Sequence, residues 1–269
     1  MGNLIYKGRS YAGSVGSNPN LLINGDFQVN QRQFTNVSNN LNNIELVDRW
    51  LKAWGNCKVE KVDEGLKITN NGSGGSPIEQ RIECKLNEMV GKTMTLSASV
   101  DGVVYSVSGI LGTEVVKLTK SNFGMYFQAD TTKNCIVVRI YPESYINLTV
   151  NWVKLELGSM ATQFISRPYI EELALCEYYF TKGEKEIPIL ASKTTDQYTA
   201  LFSFDEMRVV PTVKNIIAKY FNTSGVYVEA SYAYLTPYRK TGFVDITASD
   251  MNSRCNGIVV TYELDAEIY

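Results

Sequence analysis

The stretch NLTVNWVKLELGSMATQFISRPYIEELALCEYYF, residues 147–180, decides the fold of this chain. It begins as a β-strand, with apolar side chains on even positions up to Trp152 and on odd positions from Val153. Because side chains alternate faces along a strand, this change of phase predicts a β-bulge, or burial on both faces, at Trp152–Val153. After Gly158 the apolar spacing lengthens to the period of a helix.

The second half of the stretch has the features of a short helix. Ser166 is an N-cap candidate, and Pro168 suits the first helical turn. Ile170, Leu173 and Cys176 then lie about one turn apart and form an apolar stripe. We therefore expect a helix with one apolar face, and this face is a candidate interface between copies of the chain.

The remainder of the chain consists of short alternating segments separated by turns. The alternation is cleanest over Thr93–Val100 and in the last residues from Ile258 onward. Many short strands with almost no helix are typical of antiparallel sandwiches and jelly rolls. We predict an all-β protein with four parts in chain order: a polar arm at 1–19, an N-terminal antiparallel jelly-roll sandwich at 20–165, a short connecting helix at 166–182, and a smaller C-terminal β-sandwich at 183–269.

Composition argues against several functional classes. The 269 residues carry a net charge of −2, so the chain lacks the basic surface expected for binding nucleic acid. No apolar run approaches the roughly 20 residues that span a bilayer, so we expect no membrane insertion. Histidine is absent, which removes the commonest general base and the commonest metal ligand. The five dispersed cysteines predict free thiols in a protein made in a reducing cytosol, and no signal peptide is recognisable.

Four ordered blocks of sequence carry a resemblance to a known family. They are NLLINGDFQVNQRQ from Asn20, the triplet DRW at Asp48–Trp50, GKTMTLSASV ending at Val100, and WVKLELGSMATQFISRPYIEELALCEYYF ending at Phe180. Together they resemble a module of bacteriophage and prophage tail-fibre, baseplate and head-fibre proteins that is similar to carbohydrate-binding modules. Asn30 and Gln33 stand where the familiar pattern has Trp and Gly, and Glu177 stands where Arg is common.

The resemblance implies a virion protein, made in the cytoplasm of the host bacterium and assembled as a homotrimer. The arm at residues 1–19 would attach to other virion proteins, and the β-sandwich would bind a host cell-surface polysaccharide. In that interpretation the protein is not an enzyme and needs no cofactor. Two alternatives stay open: a purely architectural head-fibre or baseplate protein without a receptor, and a polysaccharide-degrading tail enzyme, which in the absence of histidine would need a carboxylate pair.

Sugar-binding sandwiches use exposed aromatic rings flanked by polar side chains, because rings are rigid and lose little rotamer entropy on binding. Trp50, Trp54 and Trp152 are the ring candidates. Their candidate polar partners are Arg49, Asp48, Gln80 and Asn151. Each has a structural alternative: Trp50 in the core with Arg49 and Asp48 fixing a strand end, Trp152 in the core or a subunit interface, and Trp54 at a turn before Gly55.

Three further residues are candidates for binding. Tyr227 lies between Val226 and Val228 and is expected to face outward, either as an adhesive surface or as part of a trimer interface. Related sugar-binding sandwiches often hold a structural calcium ion, for which Asp26 and Glu156 would supply hard oxygen ligands. Asp26 has the alternative role of capping a turn.

Overall fold

The structure, a computed structural model, divides the chain into two compact units, Met1–Leu173 and Ala174–Ile268. The residues that it describes are 4–6, 9–11, 17–39, 42–70, 72, 74–192, 195–252, 255 and 257–267. The protein is all-β, as the alternation of its sequence predicts. The predicted arm at 1–19 contains both strands of a small hairpin, Leu4–Tyr6 and Arg9–Tyr11. Positions 1–3, 7–8 and 12–16 of the arm lie outside the described residues.

The N-terminal unit contains fourteen described strands and one short helix. They are β1 (Leu4–Tyr6), β2 (Arg9–Tyr11), β3 (Asn36–Asn39), β4 (Ile44–Glu45), β5 (Leu51–Lys52), β6 (Cys57–Val62), β7 (Gly65–Asn70), β8 (Ile78–Glu83), α1 (Leu86–Met89), β9 (Thr93–Val100), β10 (Val103–Ile110), β11 (Val116–Thr119), β12 (Phe123–Asp130), β13 (Cys135–Pro142) and β14 (Ile146–Leu157). β1 and β2 form the separate hairpin.

Two six-stranded antiparallel sheets make up the body of this unit. One has the strand order β10-β9-β14-β7-β6-β3, and the other has the order β11-β12-β13-β8-β5-β4. Their facing side chains form one hydrophobic core, which includes Trp50, Phe123, Phe127 and Leu155. Alternation puts apolar residues on the inner face of each strand, so burial of these faces produces the jelly-roll-like sandwich.

The predicted phase change in β14 is a β-bulge. Val150 pairs with Val100 and Trp152 pairs with Ser99, so one extra residue lies in β14 between the two pairs. The bulge lets Val150 and Val153 both face the core although they lie an odd number of positions apart, which in a regular strand would put them on opposite faces. This prediction is confirmed.

The second helix, α2 (Tyr169–Glu177), is shorter than the predicted 166–182. Ser166 is not its cap, because the carbonyl of Pro168 accepts the first helical hydrogen bonds from Glu171 and Glu172. The strand that follows already begins at Phe180. The buried face of α2 consists of Glu172, Leu175 and Cys176 and is not the predicted stripe.

The C-terminal unit contains seven described strands. They are β15 (Phe180–Ser192), β16 (Gln197–Ser203), β17 (Thr212–Phe221), β18 (Tyr227–Glu229), β19 (Tyr232–Pro237), β20 (Thr241–Thr247) and β21 (Gly257–Asp265). Hydrogen bonds link them in the order β18-β17-β21-β15-β16-β20-β19. The first part of the long strand β15 pairs with β21 and its last part pairs with β16, with a register shift between Ile189 and Ala191. The two halves of the sheet therefore enclose a core of their own as a small sandwich.

Two further observations bear on the composition argument. All five cysteines are free thiols, and Cys57, Cys135 and Cys176 are buried, as predicted. Neither α1 nor α2, the helices in the described ranges, has the length and hydrophobicity needed to cross a membrane.

Candidate functional site

Trp50 and Arg49 belong to the interior, so their predicted role in sugar binding is wrong. The Trp50 ring is buried 5.1 Å from the ring of Phe27, and its indole Nε1 donates to the carbonyl of Asn24 over 2.8 Å. Arg49 has a φ of +71° and donates from Nη2 to the carbonyl of Arg81 over 2.6 Å. The DRW triplet therefore fixes the connection into β5. This is the structural role that the sequence analysis gave as the alternative to sugar binding.

Trp152 and Asn151 stabilise the bulge of β14 and do not form an open sugar platform. Trp152 is half-buried, and the ring of Phe164 is stacked on it at 4.7 Å with an interplanar angle of 9°. The Asn151 Oδ1 accepts from the Ser99 hydroxyl and from the Gly102 backbone, while its Nδ2 donates to another backbone carbonyl. Both side chains are thus engaged within the chain.

Trp54 is the tryptophan that remains accessible, since 41% of its surface is exposed. Two hydrogen bonds and one close packing contact fix the loop that carries Trp54. The backbone N–H of Ala53 donates to the Pro77 carbonyl over 2.9 Å, and the buried Lys52 donates from Nζ to the Gly55 carbonyl over 2.8 Å. Gly55 has a φ of +86°, and a Cβ there would lie 2.2 Å from the Ser76 hydroxyl oxygen, so only glycine fits. The backbone that carries the exposed ring is therefore fixed in position.

A row of polar side chains crosses the outer face of the second sheet beside Trp54. Tyr126 on β12 pairs with Arg139 on β13, which pairs with Glu79 on β8. The guanidinium carbon of Arg139 lies 4.5 Å from the centroid of the Trp54 ring and 5.4 Å from that of Tyr126. Arg139 also donates hydrogen bonds to the Glu79 carboxylate and to the Tyr126 hydroxyl.

The Glu79 carboxylate anchors this row. It is fully buried, and its second oxygen accepts from Nε of Arg81 over 2.6 Å. Two guanidinium groups therefore compensate its charge, which is what makes burial of a carboxylate tolerable.

Tyr141 completes the site next to Tyr126, with ring centroids 6.2 Å apart. Its ring lies directly over Gly124, where a Cβ would approach the Tyr141 Cζ to 2.1 Å. We call the group formed by Trp54, Glu79, Tyr126, Arg139 and Tyr141 the Trp54 cluster. It presents three aromatic rings and one guanidinium on a rigid sheet.

The protonation states in the Trp54 cluster follow from its burial and charges. Burial raises the pKa of the Tyr126 hydroxyl, so this group is a neutral hydrogen-bonding partner at pH 7. Burial lowers the pKa of Arg139, but the hydrogen bond to Tyr126 and the charge of Glu79 outweigh it, and the net shift is upward. The cluster therefore keeps a permanent cation between aromatic rings.

Sequence reasoning identified Trp54 but missed the other four members of the Trp54 cluster. Their spacing carries no motif, because Glu79, Tyr126 and Arg139 come from three strands and meet only through the strand register. The sequence signal that was available is that polar residues alternate with apolar residues along β8, β12 and β13, and so mark the outward positions of these strands. That pattern is typical of any solvated sheet face.

A second buried charge network surrounds a cavity of about 190 Å³ in the N-terminal unit. Lys154 is fully buried, with Nζ 2.6 Å from the Thr162 hydroxyl and 3.3 Å from the Glu156 carboxylate. Burial lowers the pKa of Lys154. Arg167 donates to both oxygens of the buried Glu172 over 2.9 and 3.0 Å. Lys154 also donates to the Ser17 hydroxyl, and Glu172 accepts from the Asn24 backbone, so this network connects the chain before β3 with β14 and the segment after it and has a structural role.

The calcium prediction finds no support at Glu156. One oxygen of its carboxylate accepts from the Thr162 backbone over 2.8 Å, and the other accepts from the Thr162 hydroxyl over 2.5 Å and faces Lys154. Asp26 keeps one buried oxygen without a hydrogen bond in the described residues. Across the described ranges, no three His, Cys, Asp or Glu side chains converge as metal ligands.

The predicted trimer stripe on α2 is only partly available. Ile170 is 71% exposed and Leu173 is half-buried, whereas Cys176 has no exposed surface. Because Cys176 is buried inside its own chain, it cannot contact a second copy, and this part of the prediction is wrong. Tyr227 faces outward as predicted, with 51% of its surface exposed.

Comparison with known proteins adds no relative from which a function could be transferred. No family model, no curated protein and no solved structure matches the chain. The resemblance to phage fibre modules therefore depends on the four sequence blocks alone.

Proposed function

We propose that this chain is a structural protein of a bacteriophage particle that attaches to host-surface polysaccharide through the Trp54 cluster. The observation that carries the proposal is an exposed tryptophan ring, held by a fixed loop, 4.5 Å from a guanidinium that is itself held by a buried carboxylate. The four phage-like sequence blocks supply the biological context.

The chemistry of the Trp54 cluster suits a sugar. The apolar face of a pyranose stacks on an aromatic ring, while a guanidinium donates hydrogen bonds to the ring hydroxyls. An exposed indole also exposes apolar surface to water, which a stacked sugar would cover. Since the loop of Trp54 and the side chain of Arg139 are already fixed, little entropy is lost on binding.

The remaining parts of the proposal concern assembly. Residues 1–19 would attach the chain to other virion proteins, and three copies would form a homotrimer in the virion. Binding at a single open site is expected to be weak, and three linked sites would raise the effective concentration of each. The protein would be made in the host cytoplasm, would not insert into a membrane and would not contact nucleic acid.

A specific observation favours one alternative function, an enzyme that degrades polysaccharide. Glu177 and Asp205 both line a cavity of about 330 Å³ in the C-terminal unit, together with Lys185. Glycosidases need two carboxylates facing the substrate. If the wild-type protein releases reducing ends from the polysaccharide and the Asp205→Asn variant does not, the protein is an enzyme and not only an adhesin. A purely architectural protein would bind no polysaccharide in any variant.

The test is binding of the full chain to an array of bacterial capsule and wall polysaccharides. We expect one class of polysaccharide to be retained by the wild type, and Trp54→Ala to weaken this binding at least tenfold, equivalent to about 1.4 kcal/mol. Tyr232→Ala is the matched control, because Tyr232 is a similarly exposed aromatic in the C-terminal unit. Equal binding by the wild type and Trp54→Ala would contradict the proposed site.

A further inference from the structure

A second open cavity lies on the outer face of the C-terminal sandwich. Its volume is about 570 Å³, within the range of roughly 300–1,000 Å³ typical of small-molecule sites. Strands β15, β17, β18 and β21 supply its lining. The residues that define it are Glu186, Pro188, Phe221, Tyr227 and Gly257.

The floor of this cavity is a glycine in the sheet. Gly257 pairs with Pro188 on β15, and without a side chain it leaves a depression between its neighbours. A Cβ on Gly257 would lie 3.0 Å from the Ile187 carbonyl oxygen and 3.5 Å from Oε1 of Glu186. The Glu186 carboxylate therefore lies beside the floor of the depression.

Two aromatic rings form the opposite wall. Phe221 and Tyr227 are directly paired across β17 and β18, and their ring centroids are 5.4 Å apart at an angle of 63°. Phe221 is 36% exposed and Tyr227 is 51% exposed. The paired strands fix the spacing of the rings, so the wall is formed before any ligand binds.

The charge at this cavity is negative, and the Glu186 carboxylate that carries it is accessible to a ligand. Within the described ranges, Glu186 makes no hydrogen bond or ion pair, and its side chain is exposed. Lys219 shares its face of the sheet but lies two strands away, beyond Val259. A carboxylate facing two aromatic rings attracts a cation, because the ring faces carry partial negative charge.

We propose that Glu186, Phe221 and Tyr227 bind a sugar unit that carries a protonated amine, as in an unacetylated hexosamine. The ammonium pairs with the Glu186 carboxylate, and the pyranose ring stacks on Tyr227 and Phe221. A cavity of this volume is larger than an alkylammonium group alone requires. The inference rests on the proposed glycan-binding function but names a different site and a defined ligand chemistry.

The experiment is titration of the full chain with a glucosamine tetramer and with its fully N-acetylated counterpart, followed by calorimetry. We expect the tetramer with free amines to bind at least tenfold more tightly, because acetylation removes the charge. Glu186→Gln should weaken binding of the free-amine tetramer about tenfold, and Tyr227→Ala should do the same.

Glu184→Gln is the matched control. Glu184 lies two residues earlier on the same strand, is also exposed, and accepts a hydrogen bond from the Thr261 hydroxyl. The Glu184→Gln variant should bind the free-amine tetramer like the wild type. This result would separate binding at a specific site from general attraction of a cationic sugar to an acidic protein. All variants change exposed side chains, and a thermal melt checks that each is folded.

Three outcomes would overturn the inference. They are equal affinity for the two tetramers, equal weakening by Glu186→Gln and Glu184→Gln, and binding of n-butylammonium as tight as that of the free-amine tetramer. Tyr232→Ala changes an exposed ring of the same unit that does not line the cavity, and it should leave this titration unchanged. Failure here with success of the array experiment on Trp54→Ala would remove only the second site.

Discussion

The guanidinium carbon of Arg139 lies 4.5 Å from the centroid of the Trp54 ring, while the same side chain pairs with the fully buried carboxylate of Glu79. This relationship joins the accessible surface of the N-terminal sandwich to its interior. Arg139 is held from below by an ion pair, and Trp54 is held by its loop. A ligand would therefore meet a surface whose geometry is already set.

Removing Arg139 should cost stability as well as binding. In Arg139→Ala the buried Glu79 keeps only Arg81 as a partner, and we expect unfolding free energy to fall by about 2 kcal/mol. Urea denaturation measures this change. Arg239→Ala is the control, because Arg239 pairs with Glu206 at an exposed position and should change stability by less than about 0.5 kcal/mol. Equal losses in both variants would contradict the anchoring role of Glu79.

Adding a methyl group beneath Tyr141 should displace its ring. Gly124→Ala places a Cβ about where the Tyr141 Cζ lies, so we expect a loss of about 1–3 kcal/mol and weaker polysaccharide binding. Gly112→Ala serves as the control, since the nearest atom to its added Cβ is 4.0 Å away. Chemical denaturation and array binding of the two variants would show the contrast. Normal polysaccharide binding by Gly124→Ala would exclude Tyr141 from the site.

Stability at high pH should depend on Tyr220 in the C-terminal unit. Its hydroxyl donates to Asp250, and this hydrogen bond, with burial, raises the pKa of Tyr220 to about 12 from the ordinary 10.0. The folded state therefore holds the proton more tightly than the unfolded state. The stabilisation is complete below pH 10 and is lost as the pH rises to about 12.

Tyr220→Phe isolates this effect from other groups that titrate at high pH. The wild type should be more stable than the variant by about 1 kcal/mol near neutral pH, and the difference should shrink between pH 10 and about 12. Urea midpoints across this pH range provide the measurement. A difference that stays constant with pH would show that the Asp250 hydrogen bond does not control the titration.

Oligomerisation is the next test, because the proposed homotrimer would use the exposed part of α2. Light scattering of the wild type should give three times the chain mass of 30.1 kDa. Ile170→Asp should dissociate the assembly, since it places a charge in an apolar interface. Val103→Asp is the control and should not, because Val103 is an exposed apolar residue at the start of β10, away from α2. A wild-type mass of one chain would rule out the trimer.

The sequence was most informative where apolar and polar residues alternate along a strand. Alternation alone placed β9 at Thr93–Val100, and a break in alternation located the bulge at Trp152. The start of the helix was misplaced, because Pro168, and not Ser166, provides the first carbonyl of α2. The stripe was also misplaced, because residues spaced by three drift around a helix of 3.6 residues per turn, so Cys176 is buried while Ile170 is exposed.

The Trp54 cluster could be predicted only in part. Trp54 was identified as one of three tryptophans that could stack on a sugar. The partners of Trp54 depend on the register of β8, β12 and β13, which brings residues as distant as Glu79 and Arg139 into contact. Loop lengths and turn geometry set that register, and the apolar pattern of a single strand does not contain it.

The central claim is that the Trp54 ring contacts a host polysaccharide, and the indole N–H signals of the three tryptophans test it directly. In a two-dimensional nitrogen–proton NMR titration with the polysaccharide retained on the array, the Trp54 signal should shift or broaden. The signal of Trp50, whose N–H is buried against Asn24, should stay unchanged as an internal reference. An unchanged Trp54 signal at a saturating polysaccharide concentration would contradict the account.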